Sequence, residues 1–110
     1  MDSFADRDSV ATTEDVYRSV SGYDPRAKAE ELARAGDTID VWAQIGVAQL
    51  HGDSGATEEW AHETVASAYE QDARGWRERI SRGEYVAGRS TDQAVAGELE
   101  ETARRIRERR

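Results

Sequence analysis

The chain has no cysteine, one proline, one phenylalanine and a single lysine, Lys28, among 15 basic residues. Without cysteine it has no disulfide framework, no thiol chemistry and no cysteine-ligated zinc site. The longest apolar tract, near residues 41–50, is too short and too polar to span a bilayer. The opening segment MDSFADRDSV is acidic, which predicts that no signal peptide begins there. These absences favour an intracellular protein, or part of a particle assembled inside a cell, with no membrane contact.

Large aliphatic side chains are also scarce. Val, Ile, Leu and Phe together number 16 of 110 residues, and the net charge is −8, which approaches the composition of disordered chains. Three Trp and four Tyr supply buriable area. We expect a folded domain with a thin core, in which tryptophan provides the volume and the 17 alanines provide helix propensity. Such a domain gains stability from a partner, self-association or high salt.

The surface composition has two possible origins. Asp and Glu number 23, and 14 of the 15 basic residues are arginine. An acidic, lysine-poor surface suits a high-salt cytoplasm, because dense carboxylates stay hydrated there and their mutual repulsion is screened. A GC-rich genome, which favours arginine and alanine codons, produces the same bias, and composition alone does not separate the two.

Charge is sorted along the chain. Residues 1–73 hold 16 acidic and 5 basic side chains, whereas residues 74–110 hold 7 and 10. Neither Lys nor Arg occurs between Asp37 and Ala73. A negative body and a positive tail can bind copies of the chain head to tail, or dock the tail on an acidic partner. We therefore predict a protein that works through protein–protein contacts, with a homo-oligomer as the expected state.

Capping residues and apolar spacing predict an all-α fold, a single domain over residues 1–110 that forms a small bundle of four to five helices. Tyr85 and Val86, in the link before the last helix, are expected to pack against the bundle. The predicted segments are a loose arm over residues 1–11, a short helix ending at Gly22, a helix from Pro25 to Gly36, a segment over 38–51, a long helix over about 57–82 capped by Thr57, and an Arg-rich terminal helix over 91–110 that starts with the capping-box pattern STDQ at 90–93.

Residues 38–51, TIDVWAQIGVAQLH, allow two interpretations. As a strand, the segment places apolar residues at every second position and is rich in β-branched residues. A lone strand needs a partner, however, and only residues 84–87 or a second subunit could supply one. As a helix they are apolar on nearly every side, which favours a helix buried at the centre of the bundle. We favour the helix. Its two apolar faces are Ile39, Trp42, Ala43, Gly46 and Leu50, and beside them Val41, Ile45 and Ala48.

Motifs for catalysis, metal binding and nucleotide binding are lacking. His62 and Glu63 begin the zinc motif H-E-x-x-H, but Ala66 stands where the second histidine is needed. Adjacent acids such as Glu58 and Glu59 are explained by their place at the positive end of a helix. No G-x-S-x-G, Walker or G-x-G-x-x-G sequence occurs. We therefore expect no catalytic residue, no cofactor and no metal site, and we predict that the protein is not an enzyme.

The Arg-rich terminus is the feature that suits nucleic acid, because phosphate contacts need positive charge. Arginines at a helix C-terminus also suit the helix dipole, and we favour that interpretation. A small DNA-associated regulator or antitoxin-like protein is the alternative function. The residues predicted to lie at protein interfaces are Phe4, Trp60, Arg104, Arg105, Arg107 and Arg109.

The segment Ala11-Thr12-Thr13-Glu14-Asp15-Val16, which leads through Gly22 into longer helices, resembles the start of the small head–tail adaptor (connector) proteins of tailed viruses. Those are all-α subunits of about this length that form rings beneath the portal. The resemblance covers residues 11–22, and neither the Arg-ended terminal helix nor the apolar 38–50 tract has a counterpart in it. It implies a non-enzymatic ring subunit with portal and tail proteins as partners.

Overall fold

The computed structural model describes residues 23–109; the predicted arm over 1–11 and the short helix ending at Gly22 lie outside the described residues. Residues 23–109 form helices and turns without a strand, which confirms the predicted all-α fold and makes the 38–51 segment a helix. Within that range, no helix is both long and apolar enough to cross a membrane. The helices are α1 (Pro25–Arg34), α2 (Asp40–Leu50), α3 (Glu58–Ser81) and α4 (Arg89–Glu108).

A long antiparallel hairpin of α3 and α4 is the largest unit of the fold. α3 has 24 residues and is therefore about 36 Å long. α1 and α2 pack together on the N-terminal part of α3, and the core lies where these three helices meet. Its buried residues are Ala29 and Ala33 of α1, Val41 and Ile45 of α2, and Ala61, Val65 and Ala68 of α3.

Alanine, rather than tryptophan, fills this core. Val41 and Val65 are the largest side chains that are fully buried in the described part of the chain. Trp42 is 52 % exposed, and Trp60 and Trp76 are half-buried. The expectation that tryptophan supplies the core volume is wrong. Facing alanines let the helix backbones approach closely, and this leaves the indole rings at the edges of the contacts.

The predicted helix starts at Pro25 and after Thr57 are confirmed. Asp24 Oδ1 accepts the backbone N–H of Arg26 at 3.0 Å, and Pro25 occupies the first turn. Thr57 Oγ1 accepts the N–H of Trp60 at 3.0 Å. Each cap satisfies a donor that has no partner inside its helix.

The link between α3 and α4 differs from the prediction. α4 begins at Arg89, before the predicted start, with Gly88 as its N-cap and no side-chain cap, so the predicted capping box of Ser90 and Gln93 does not form. Asp92, inside that pattern, has a different role. Its buried carboxylate reaches back to the link instead, accepting the N–H of Val86 at 2.7 Å and that of Ala87 at 3.0 Å. The side chains of Tyr85 and Val86 are exposed, so the expectation that they pack against the bundle is wrong.

Candidate interaction surface

The two apolar rows of α2 lie in opposite environments. The inner row, Val41, Ile45 and Ala48, is buried beneath the helix. The outer row faces solvent, with Ile39 80 %, Leu50 81 % and Trp42 52 % exposed. The expectation of a fully buried central helix is therefore wrong for half of its surface, because α1 and α3 cover only one side of α2. The outer row consists of Ile39, Trp42, Ala43, Gly46 and Leu50.

No charged side chain interrupts the outer row. Between Asp40 and Asp53 the sequence contains no Asp, Glu, Lys or Arg. A helix at the surface of a soluble domain normally turns a polar face to water. Exposed apolar side chains that adjoin one another are typical of a surface that binds another protein. The outer row is therefore the strongest candidate for a functional surface in residues 23–109.

Apart from Trp42, the residues in the middle of the outer row are small and those at its ends are large. Ala43 and Gly46 are exposed, and a Cβ atom placed on Gly46 would have no neighbour within 4 Å among the described residues. Ile39 and Leu50 project from the two ends of the row. The axis of another helix can therefore approach α2 closely at Ala43 and Gly46, while Ile39 and Leu50 pack against that helix on either side.

Negative charge is concentrated at the N-terminal end of α2. Asp37 Oδ1 accepts the N–H of Asp40 at 2.8 Å and that of Ile39 at 3.1 Å, which caps the helix. These amides, that of Asp40 first, hold the pKa of Asp37 below its ordinary value. The opposite end of the helix is followed by the half-buried His51. The two ends of the surface thus differ in charge, while its middle is neutral.

Trp42 connects the outer row to a groove between α2, α3 and α4, which it lines together with His62, Tyr69 and Arg109. His62 Nε2 lies 3.9 Å from Glu58 Oε1, one turn earlier on α3. Across residues 23–109, no group of three or more His, Cys, Asp or Glu side chains is arranged to hold a metal ion. The groove therefore offers two aromatic side chains and two guanidinium groups, those of Arg105 and Arg109, rather than a set of metal ligands.

Arg107, one of the predicted interface residues, is engaged within its own chain. Its Nη2 donates to Glu63 Oε2 at 2.8 Å and to Glu70 Oε1 at 2.9 Å, both on α3. Hydrogen bonds to Glu63 and then Glu70 raise the pKa of the Arg107 guanidinium above its ordinary value. This side chain fastens α4 to α3.

Arg104 and Arg105 form ion pairs along α4. Arg105 Nε lies 3.1 Å from Glu101 Oε2, and Arg104 pairs with both Glu101 and Glu108. The hydrogen bond from Arg104 is the main reason that the pKa of Glu101 lies below its ordinary value. Both arginines are exposed, but carboxylates of the same helix already neutralise them.

The other predicted interface residues have different surroundings. Trp60 is half-buried against the core, and its Nε1 donates to Glu30 Oε2 at 2.9 Å, which joins α3 to α1. Arg109 is exposed and lies near Glu58 and His62. Phe4 lies outside the described residues. The interface role of all six predicted residues stays a prediction.

Ile39 and Leu50 were not among those predicted residues, although the sequence carried a signal for them. A helix that is apolar on two adjoining faces needs two sets of neighbours, and the described chain supplies one set. Comparison with models of protein families, with curated proteins and with solved structures finds no match to this chain. The outer row of α2 is therefore the feature from which a function can be inferred.

Proposed function

We propose that the protein is a non-enzymatic assembly subunit that acts through protein–protein contacts, and that the outer row of α2 is its contact surface. The observation that carries the proposal is the exposure of Ile39, Trp42 and Leu50 on one uncharged face of a helix. Removing such apolar surface from water is favourable by about 25 cal/mol per Å². A core of alanine and valine leaves the isolated domain with little stability of its own, so association adds what the core lacks.

Charge attraction between copies contributes less to this proposal than the sequence suggested. Arg107 of the basic region already bonds to Glu63 and Glu70 of the acidic region in the same chain. High salt favours the apolar contact instead, because it screens the repulsion between two chains of net charge −8. Assembly of this kind fits a location inside a cell, or in a particle formed there.

A ring subunit beneath the portal of a tailed virus is a more specific form of the proposal. It rests on the resemblance of residues 11–22, which lie outside the described residues. Portal and tail proteins would then be the foreign partners. A ring needs two different contact surfaces on each subunit, so this form of the proposal requires a second surface besides the outer row of α2.

The alternative, a DNA-associated regulator or antitoxin-like protein, receives less support. Arg104, Arg105 and Arg107 are each within salt-bridge distance of a glutamate of the same chain. A phosphate would have to displace those carboxylates, which repel it. Exposed Arg109 at the end of α4 remains the best contact that the described residues offer to DNA.

Light scattering behind size-exclusion chromatography tests the proposal, at about 0.15 M and about 2 M KCl so that charge repulsion is varied. We expect a helical species of defined mass larger than one chain, with the larger mass favoured at high salt. A folded monomer at both salt concentrations and at high protein concentration would overturn the assembly function. In that case, salt-sensitive binding of duplex DNA would favour the alternative.

A further inference from the structure

Four of the five residues of the outer row of α2, all but Trp42, are placed symmetrically about the midpoint between Gln44 and Ile45. Ile39 and Leu50 lie equally far from that midpoint along the sequence, and so do Ala43 and Gly46. The pattern therefore reads large, small, small, large in both directions along the helix. A surface with this pattern is complementary to itself when the second helix runs the opposite way. Such a two-fold contact places the same patch of each copy in the interface.

The size of the side chains fits that arrangement. In an antiparallel pair, Ala43 of one copy faces Gly46 of the second copy, so the helix axes can come close. None of residues 23–109 fills the space above Gly46. Ile39 of each copy then packs on Leu50 of the other, and these are the two most exposed large apolar side chains in the described residues.

Charge selects the antiparallel direction. A parallel pair would bring the exposed Asp40 and the neighbouring Asp37 of one copy against the same residues of the second copy. An antiparallel pair places Asp40 beside the His51 end of the other α2 and sets the helix dipoles in opposition. Asp53, which follows His51, is already paired with Arg26 of its own chain at 3.5 Å. With a net charge of −8 on each chain, copies meet at least cost across a row that carries no charge.

We propose that a second copy of this chain occupies the outer row, through an antiparallel two-fold contact between the α2 helices centred on Ala43 and Gly46. The inference rests on the proposed assembly function and gives it a partner and a geometry. The contact closes on itself, so it makes a dimer, and larger assemblies require a further surface. Trp42 lies at the edge of the contact.

Because the chain has no cysteine, introduced cysteines report on this geometry without background. Ile39→Cys protein is mixed with ¹⁵N-labelled Leu50→Cys protein and mildly oxidised, and the disulfide-linked dimers are identified by mass. The antiparallel pair brings position 39 of one copy within disulfide reach of position 50 of the other, so we expect about a fivefold excess of the mixed disulfide over both homodisulfides. In the control mixture, Ser81→Cys protein, whose cysteine is exposed at the end of α3, replaces Ile39→Cys protein, and we expect no excess of the mixed disulfide.

A second variant tests the close approach without an oxidant. Gly46→Gln improves helix propensity and has room within the monomer, but its side chain stands where the second helix crosses. We expect it to weaken dimerisation by at least about tenfold. Gly97→Gln in α4 is the matched control, since a Cβ there also has no neighbour within 4 Å, and it leaves dimerisation unchanged.

The outcomes separate this inference from the proposed function. An oligomer that forms no excess of mixed disulfide and is insensitive to Gly46→Gln overturns the α2 pairing and leaves the assembly function standing. A predominance of 39–39 and 50–50 homodisulfides likewise overturns the antiparallel geometry alone. A monomeric wild-type chain overturns both.

Discussion

Arg107 of α4 donates two hydrogen bonds to Glu63 of α3, from Nε to Oε1 at 3.1 Å and from Nη2 to Oε2 at 2.8 Å. The contact joins the basic end of the sequence to its acidic middle across the hairpin. Glu70, about two turns of α3 further along, accepts a hydrogen bond from the same guanidinium. Arg107 of the basic region is thus bound to the acidic region of its own chain, and we propose that contacts between subunits are made by the apolar outer row of α2 instead.

Arg107→Gln is expected to lower the free energy of unfolding by about 1–2 kcal/mol, because it removes charge-assisted bonds and leaves two glutamates facing each other. Urea unfolding followed by circular dichroism measures the loss. Arg105→Gln is the matched control, since its ion pair with Glu101 stays within one exposed helix and is worth about 0.5 kcal/mol. Equal losses in the two variants would contradict the hairpin role of Arg107.

Gly36, which follows α1, is expected to tolerate no side chain. Its φ is +75°, and a Cβ atom would lie 3.0 Å from the backbone N of Asp72 in α3. Gly83 has the nearly equal φ of +74° but open space around it. We expect Gly83→Ala to cost about 1–2 kcal/mol through backbone strain alone, and Gly36→Ala to cost about 1–3 kcal/mol more through the clash. Thermal unfolding of both variants checks the difference, and similar melting temperatures would argue against the close approach of Gly36 to α3.

Asp92→Ala is expected to free the α3–α4 link. The buried carboxylate accepts two link amides, so its removal costs about 1–3 kcal/mol and exposes both N–H groups to exchange. Hydrogen exchange at Val86 and Ala87, measured by NMR, should accelerate strongly, while the amides of the core should accelerate only as far as the global loss of stability requires. Exposed Thr91→Ala serves as the control. Unchanged exchange at the two link amides in Asp92→Ala would refute the contact.

The Asp37 cap of α2 makes the free energy of unfolding depend on pH. Because backbone amides hold the pKa of Asp37 below its ordinary value, the folded chain favours the ionised form. The stabilisation is complete above the pKa of the unfolded chain, about 3.9, and is lost as the pH falls through the lower, folded-state pKa. The difference in unfolding free energy between wild type and Asp37→Asn should therefore be constant from about pH 7 to 5 and shrink below about pH 4. A difference that does not change with pH would contradict this account.

Local signals in the sequence predicted the helices well. Asp24 before Pro25, Thr57 before two glutamates, and Gly36 after α1 each act through backbone chemistry within a few residues, and the structure uses them as expected. The capping box expected at Ser90 and Gln93 does not form, because α4 begins earlier, at Arg89, and Asp92 binds the N–H of Val86 in the preceding link, a contact that a helix-start pattern does not contain.

The packing of the helices was harder to predict. Composition suggested that the tryptophans would fill the core. Instead, alanines on facing helices allow short distances between the helices, and Trp42 lies at the surface. Periodicity found both apolar faces of α2, yet it could not show which face meets α1 and α3, because both carry residues of similar hydrophobicity. That choice depends on contacts distant in sequence, such as those of Val41 and Ile45 with Ala61, Val65 and Ala68.

The central claim is that the outer row of α2 holds copies of the chain together. Sedimentation velocity on wild type, Leu50→Glu and Val86→Glu tests it most directly, because Leu50 and Val86 are both exposed apolar residues, 81 % and 68 %, but Val86 lies in the link at the far end of the hairpin. We predict that wild type and Val86→Glu sediment as the same oligomer and that Leu50→Glu sediments as a folded monomer. An oligomer of unchanged mass in Leu50→Glu, or a monomeric wild type, would contradict the account.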